Sequence, residues 1–168
     1  MRCRLTSPGC PQRSPAWHRS ARRASWLAVV AVMAATVSAA PPAAADSTDT
    51  LTDALMAVRG VSCGPPLRFD PIVEQAAAEI NDSTDKWIDN VARAAPVKES
   101  TPLLKDLGYG GSKSTFMLGA GRSSADSIKA LLLQGYQKIP DCSYVDYGVS
   151  SLHNDSKDMI LTVVVLAA

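Results

Sequence analysis

Met159-Ile-Leu-Thr-Val-Val-Val-Leu166 decides the fold. Seven of its eight residues are apolar, and only Thr162 interrupts them. A strand with one wet face alternates apolar and polar positions, so this run predicts a central strand covered on both faces. Upstream, Tyr144 to Leu152 reads as its neighbour, and His153-Asn-Asp-Ser-Lys-Asp158 as the polar hairpin turn between them. Lys113 to Leu118 is a short third strand, and Gly119-Ala-Gly-Arg122 reads as a turn. Two covered faces call for helices on both sides of the sheet.

Those helices are legible. Ser123 with Asp126 three residues on looks like a capping box, opening a helix over 124–138 with Ile128, Leu131, Leu132 and Ile139 inward. Leu51, Ala54, Leu55 and Val58 repeat at helical spacing over 49–59, and Gly60 ends that helix. Asp70 caps a second helix that carries Pro71 at its first position. Along it Ile72, Ala76, Ile80, Thr84, Trp87, Ile88 and Val91 share one side to about residue 94, which makes Trp87 an expected core residue. Thr101-Pro102 to Gly108 is a short helix ending at glycine. The expected fold class is α+β, a three-layer α-β-α sandwich around a small antiparallel sheet.

The chain has 168 residues, 46% hydrophobic and 20% charged, which fits one ordinary domain and excludes bulk disorder. Its charge is unevenly placed. All basic residues of the first 45 positions (Arg2, Arg4, Arg13, Arg19, Arg22, Arg23) precede an apolar run from Trp26, and no acid stands among them. Ala43-Ala44-Ala45 follows Pro41-Pro42. Basic region, apolar region and small-residue site in that order predict a secretory signal peptide over 1–45, cleaved near Ala45, with a membrane anchor as the weighed alternative. A single domain over 46–168 remains, and a secreted or cell-envelope location is expected. It holds 11 Lys+Arg against 16 Asp+Glu, a net of −5. No basic stripe interleaved with aromatics occurs there, so nucleic acid is not an expected partner.

Cys3 and Cys10 belong to the leader. Cys63 and Cys142 remain, and in an exported chain a disulfide between them is the expected state. With His153 they are too few for a zinc site, and no metal or cofactor is expected. His153 sits in the predicted hairpin turn, and no second His after the leader supplies a general base for the serines. Gly119-Ala-Gly121 between a strand and a helix resembles a dinucleotide-binding turn, but its third glycine is missing and the strands after it form a hairpin. Glu74 and Glu79 are five apart on one helix and point in different directions. Together with Glu99 they are the carboxylates on which an extracytoplasmic hydrolase would have to rely.

The order of several short motifs resembles the CAP superfamily (cysteine-rich secretory protein, antigen 5, pathogenesis-related; SCP-like). Leu55-Met-Ala-Val-Arg59 and Pro65-Pro-Leu-Arg-Phe-Asp-Pro71 are similar to the opening of bacterial members. Thr101-Pro102, Asp106-Leu-Gly-Tyr109, the helix from Asp126 to Tyr136 and Ser143-Tyr-Val-Asp-Tyr-Gly-Val149 follow the family order over about residues 51–167. The resemblance implies the same α-β-α sandwich. It also implies a cavity with two His and two acidic residues that can hold a divalent metal. Here the pattern departs from the family. No His lies between Val91 and Thr101, Tyr136 stands where the second His is due, and no Glu lies near Thr115-Phe116. The chain thus reads as a shortened member without the tetrad, a secreted non-enzymatic domain that binds an apolar ligand, such as a lipid, or an envelope partner. Ile128, Leu132 and Tyr136 are the expected ligand-binding residues, because their helix carries more apolar surface than one inward face needs. The other readings are the hydrolase and a ligand-free structural or antigenic envelope protein.

Overall fold

In a computed structural model the described residues are 44–61 and 63–168. The predicted leader, with Cys3 and Cys10, lies outside the described residues except for Ala44 and Ala45. The elements run α1 (Ala44–Arg59), β1 (Arg68–Phe69), α2 (Pro71–Ile88), α3 (Ser100–Asp106), β2 (Ser114–Gly121), α4 (Ser124–Gly135), β3 (Asp146–Asn154) and β4 (Met159–Ala167). The strands form one sheet in the order β1-β3-β4-β2. No described helix is long and apolar enough to cross a membrane.

β4 sits between β3 and β2, and its side chains feed two cores. Val163, Val165 and Ala167 pack with Val73, Ala76, Ala77 and Ile80 of α2 and Leu104 of α3. Val164 and Leu166 pack with Leu51 and Leu55 of α1 and Ile128 and Leu131 of α4. All five of these β4 side chains are fully buried. Burying each Val or Leu contributes about 1.5–3 kcal/mol, so an uninterrupted apolar run is what a strand between two helical layers requires. The fold class is α+β, with helices on both faces of the sheet.

The sheet itself is mixed rather than purely antiparallel. β2 and β3 both run antiparallel to β4, but β1 lies parallel to β3, with Arg68 opposite Asp146 and Phe69 opposite Tyr147. Pro65-Pro66 bars the connector from helix and delivers it extended to the sheet edge. There Arg68 N–H donates to Val145 O at 2.8 Å and Asp70 N–H to Tyr147 O at 3.1 Å.

Three local expectations change. α2 stops at Ile88, not near residue 94. Asn90 takes the left-handed conformation (φ 59°). Its N–H bonds Trp87 O at 3.1 Å, and the Val91 N–H bonds Lys86 O at 3.0 Å. This double closure ends a helix at a left-handed residue. Trp87 is then not a core residue: it lies in the last turn and is 52% exposed. Second, Gly119-Ala-Gly121 is not a turn but the end of β2. A Cβ at Gly119 would run into Ser127 O and Leu131, and one at Gly121 into Asp126 and Ser127. These glycines let α4 lie close against the strand. Third, α4 ends at Gly135.

β2 is an outer strand, and α4 closes part of its free edge. Gln134 Oε1 accepts from the Leu118 N–H at 2.7 Å, and Lys138 Nζ donates to Phe116 O at 3.4 Å.

Candidate functional site

The Gln134 and Lys138 side chains also form one wall of a cleft of about 420 Å³. A second wall is Lys98–Thr101, the residues leading into α3 and its first turn. The floor is Ser114–Phe116 at the start of β2. Each wall is held in place by the fold. Leu104 anchors α3 in the core beside α2, and Gly135 at the end of α4 packs over Met117 and Ile139. Ser114 Oγ bridges floor and wall, 2.8 Å from Ser100 Oγ and 2.7 Å from Thr101 Oγ1. Ser100 is buried, whereas Lys98, Glu99, Gln134 and Lys138 are exposed at the rim.

Two of these segments include positions at which the CAP resemblance expects its first His and its middle Glu, whereas Tyr136, at the expected second His, does not line the cleft. The sequence separates the three segments by some 15–20 residues each, and the fold brings them to one cleft. Their chemistry is changed. Two ammonium groups, one carboxylate, an amide and a chain of hydroxyls do not fit a divalent cation, which needs several carboxylates or imidazoles. Among the described residues no group of three or more His, Cys, Asp or Glu is gathered to hold a metal ion.

None of the expected ligand-binding residues of α4 lines this cleft. Ile128 is buried in the core at 6% exposure, Leu132 is half-buried against it, and Tyr136 is 62% exposed. The Tyr136 hydroxyl accepts from Gln137 Nε2 at 2.7 Å. Leu133 next to them is 66% exposed. Of the three glutamates only Glu99 lines the cleft. Glu74 and Glu79 are exposed on α2, and Glu79 accepts from Gln75 Nε2 at 3.2 Å. The arrangement therefore does not assemble a carboxylate pair.

Two buried ionic groups frame the sheet. Asp146 takes a forked bond from Arg68, with Nε at 2.8 Å and Nη2 at 3.2 Å, and accepts from Tyr109 Oη at 2.7 Å. Burial alone would raise its carboxyl, yet these donors hold it below its ordinary value. Burial first, then the bond to Asp146, pushes the Tyr109 phenol well up. Arg59 at the end of α1 is 5% exposed. It donates to the carbonyls of Ile139 (3.0 Å), Asp141 (3.3 Å) and Tyr144 (2.7 Å). Desolvation lowers its pKa.

Cys63 and Cys142 are bonded to each other, with Cα atoms 5.0 Å apart. The disulfide and Arg59 fasten the same segment, 139–144, to the end of α1. Lys113 holds that segment from the far side, with Nζ 2.9 Å from Asp141 Oδ2 and 4.5 Å above the Tyr144 ring. His153 is in the hairpin as expected, exposed, with its ring nitrogens 2.8 Å from Asp155 and 3.3 Å from Asp158.

Sequence reasoning named Cys63, Cys142 and Glu99 but missed the rest of the cleft. Ser, Thr, Lys and Gln are ordinary surface residues, and nothing local in the sequence marks where they meet.

Neither a family model nor a curated protein matches the chain. In fold it is similar to an outer surface protein of Borrelia burgdorferi, with a TM-score of 0.56 and 14% identity, over 73% of this chain and 92% of that one.

Proposed function

We propose that the chain is an exported, non-enzymatic binding domain of the CAP type, working in the cell envelope or outside the cell. The observation that carries this reading is the cleft at Lys98–Thr101, Ser114–Phe116, Gln134 and Lys138. It includes two of the segments in which the resemblance expects a cavity, and its residues offer several hydrogen bonds to a ligand. The Cys63–Cys142 bond supports an oxidising compartment. The likeness in fold to an outer surface protein is in keeping with that location. The basic and apolar leader at 1–45 supplies the export signal. An apolar ligand would use the exposed side of α4 at Leu133 and Tyr136, with Leu132 at its margin.

Native mass spectrometry of the protein isolated from the culture medium and envelope of its own host tests this reading. The expected result is a chain starting near Asp46, with its disulfide intact and a retained ligand or partner. A cytoplasmic chain with both thiols reduced overturns it. So does hydrolytic turnover that the Glu99→Gln change abolishes.

A further inference from the structure

The cleft is rich in donors. Ser100, Thr101 and Ser114 carry three hydroxyl protons among them, and their two mutual hydrogen bonds use two. One hydroxyl proton is left to face a ligand. Gln134 spends its carbonyl oxygen on Leu118 N–H, which leaves its amide N–H groups on the cleft side of the ledger. Lys138 gives one N–H to Phe116 O in a long bond, and Lys98 stands across from it on the other wall. Against these donors stands one strong acceptor, Glu99. Phe116 is half-buried in the floor and supplies a patch of apolar contact.

Such a site is complementary to an acceptor-rich anion. Glu99 narrows the choice. Its carboxylate repels a compact dianion but accepts hydrogen bonds from a ligand that carries hydroxyls. A cavity of about 420 Å³ lies at the lower end of the small-molecule range and matches a single ring rather than a chain. From these features we infer that the cleft binds a sugar acid. The ligand's carboxylate lies between Lys98 and Lys138, its hydroxyls meet Glu99 and the Ser100–Ser114–Thr101 chain, and its C–H face lies on Phe116. The inference rests on the reading of the chain as a binding domain and gives that domain a ligand class.

Calorimetric titration of the full, disulfide-bonded chain with D-glucuronate tests the inference. D-glucose, acetate and inorganic phosphate serve as the other probes. Saturable binding of glucuronate is expected in the millimolar range or tighter, with glucose, acetate and phosphate each at least about tenfold weaker. Lys98→Gln and Lys138→Gln should each weaken glucuronate about tenfold. Lys98 makes no hydrogen bond within the described residues, so its variant keeps the fold even if the Lys138 change loosens the edge of β2. Acetate or phosphate binding as tightly as glucuronate overturns the inference, because the site then reads charge alone. Equal binding of glucose overturns it, as do unchanged lysine variants and an absence of saturation. If glucuronate fails while the native protein still carries another ligand, the cleft assignment falls and the binding-domain reading stands.

Discussion

Arg59 shows how much one side chain can hold. Its guanidinium replaces water at three carbonyls of the segment 139–144, which lie in no helix or strand and have few other partners. Changing it to Met keeps the apolar stem and leaves the Ile139 and Tyr144 carbonyls bare, while Asp141 O keeps the Tyr144 N–H at 3.3 Å. Each buried group stripped of its partner costs about 1–3 kcal/mol, so Arg59→Met should lose about 2–4 kcal/mol. The urea midpoint should fall at an unchanged slope, the sign of lost stability rather than of an altered unfolded chain. A second single-residue effect belongs to His153. The Asp155 carboxylate, and behind it that of Asp158, raise its pKa. A histidine whose folded pKa is raised contributes stability that is complete below its unfolded value, near 6.5, and is lost as pH rises through the folded value. Wild type should therefore lose stability relative to His153→Gln as pH rises above about 6.5, and the variant should show no such slope. Melting curves taken across that window decide it, and coincident profiles would mean that the two aspartates do not grip the ring in solution.

Among the elements, α2 lies close against the sheet at one backbone position. Gly148 of β3 faces the first turn of α2, and a Cβ there would meet the backbone of Val73 and Glu74. Backbone cannot swing aside as a side chain can. Gly148→Ala should push α2 off the sheet and cost about 1–3 kcal/mol, as overpacking of a close interface does. Chemical denaturation measures it, and a loss below half of that would place α2 further from β3. Gly148 also marks where sequence reasoning reaches its limit. β4 is legible because the absence of alternation is a local property of eight residues. The start of α2 is legible because Asp70 accepts from the Ile72 and Val73 N–H groups at 2.8 and 3.1 Å, a contact closed within three residues. Gly119 and Gly121 were read as a turn because glycine has two uses, freedom of φ and absence of bulk. Only the position of α4 tells them apart. Trp87 fell on the inward stripe, but periodicity fixes the direction of a side chain and not whether anything covers it. β1 left no pattern at all, since two residues have no period. Its pairing depends on Val145 and Tyr147, more than 70 residues away. The cleft was illegible for the same reason: three polar segments become a site only through the sheet that gathers them.

At the scale of the folded domain, the Cys63–Cys142 bond spans 79 residues and encloses β1, α2, α3, β2 and α4. In the chain-entropy account such a loop is worth about 4 kcal/mol. Net stabilities of domains are typically 5–15 kcal/mol, so this is a large share. Paired urea melts of the wild type and the Cys63→Ser/Cys142→Ser variant should differ by about that amount without reductant and converge with it. Coincident melts under both conditions would show that the disulfide adds nothing to the hold of Arg59 and Lys113 on the segment. The free edges of the sheet have a consequence at this scale too. One ends in β1, two residues long, and the other is partly closed by Gln134 and Lys138. A bare strand edge is the place where one folded molecule can be extended by the next. β1 covers only Asp146 and Tyr147 of β3, whereas the β2 edge is fenced at Phe116 and Leu118, so a neighbouring copy has less to pair with on the β2 side. The same lysine and glutamine that shape the cleft thus occupy backbone groups through which β2 would otherwise add a strand.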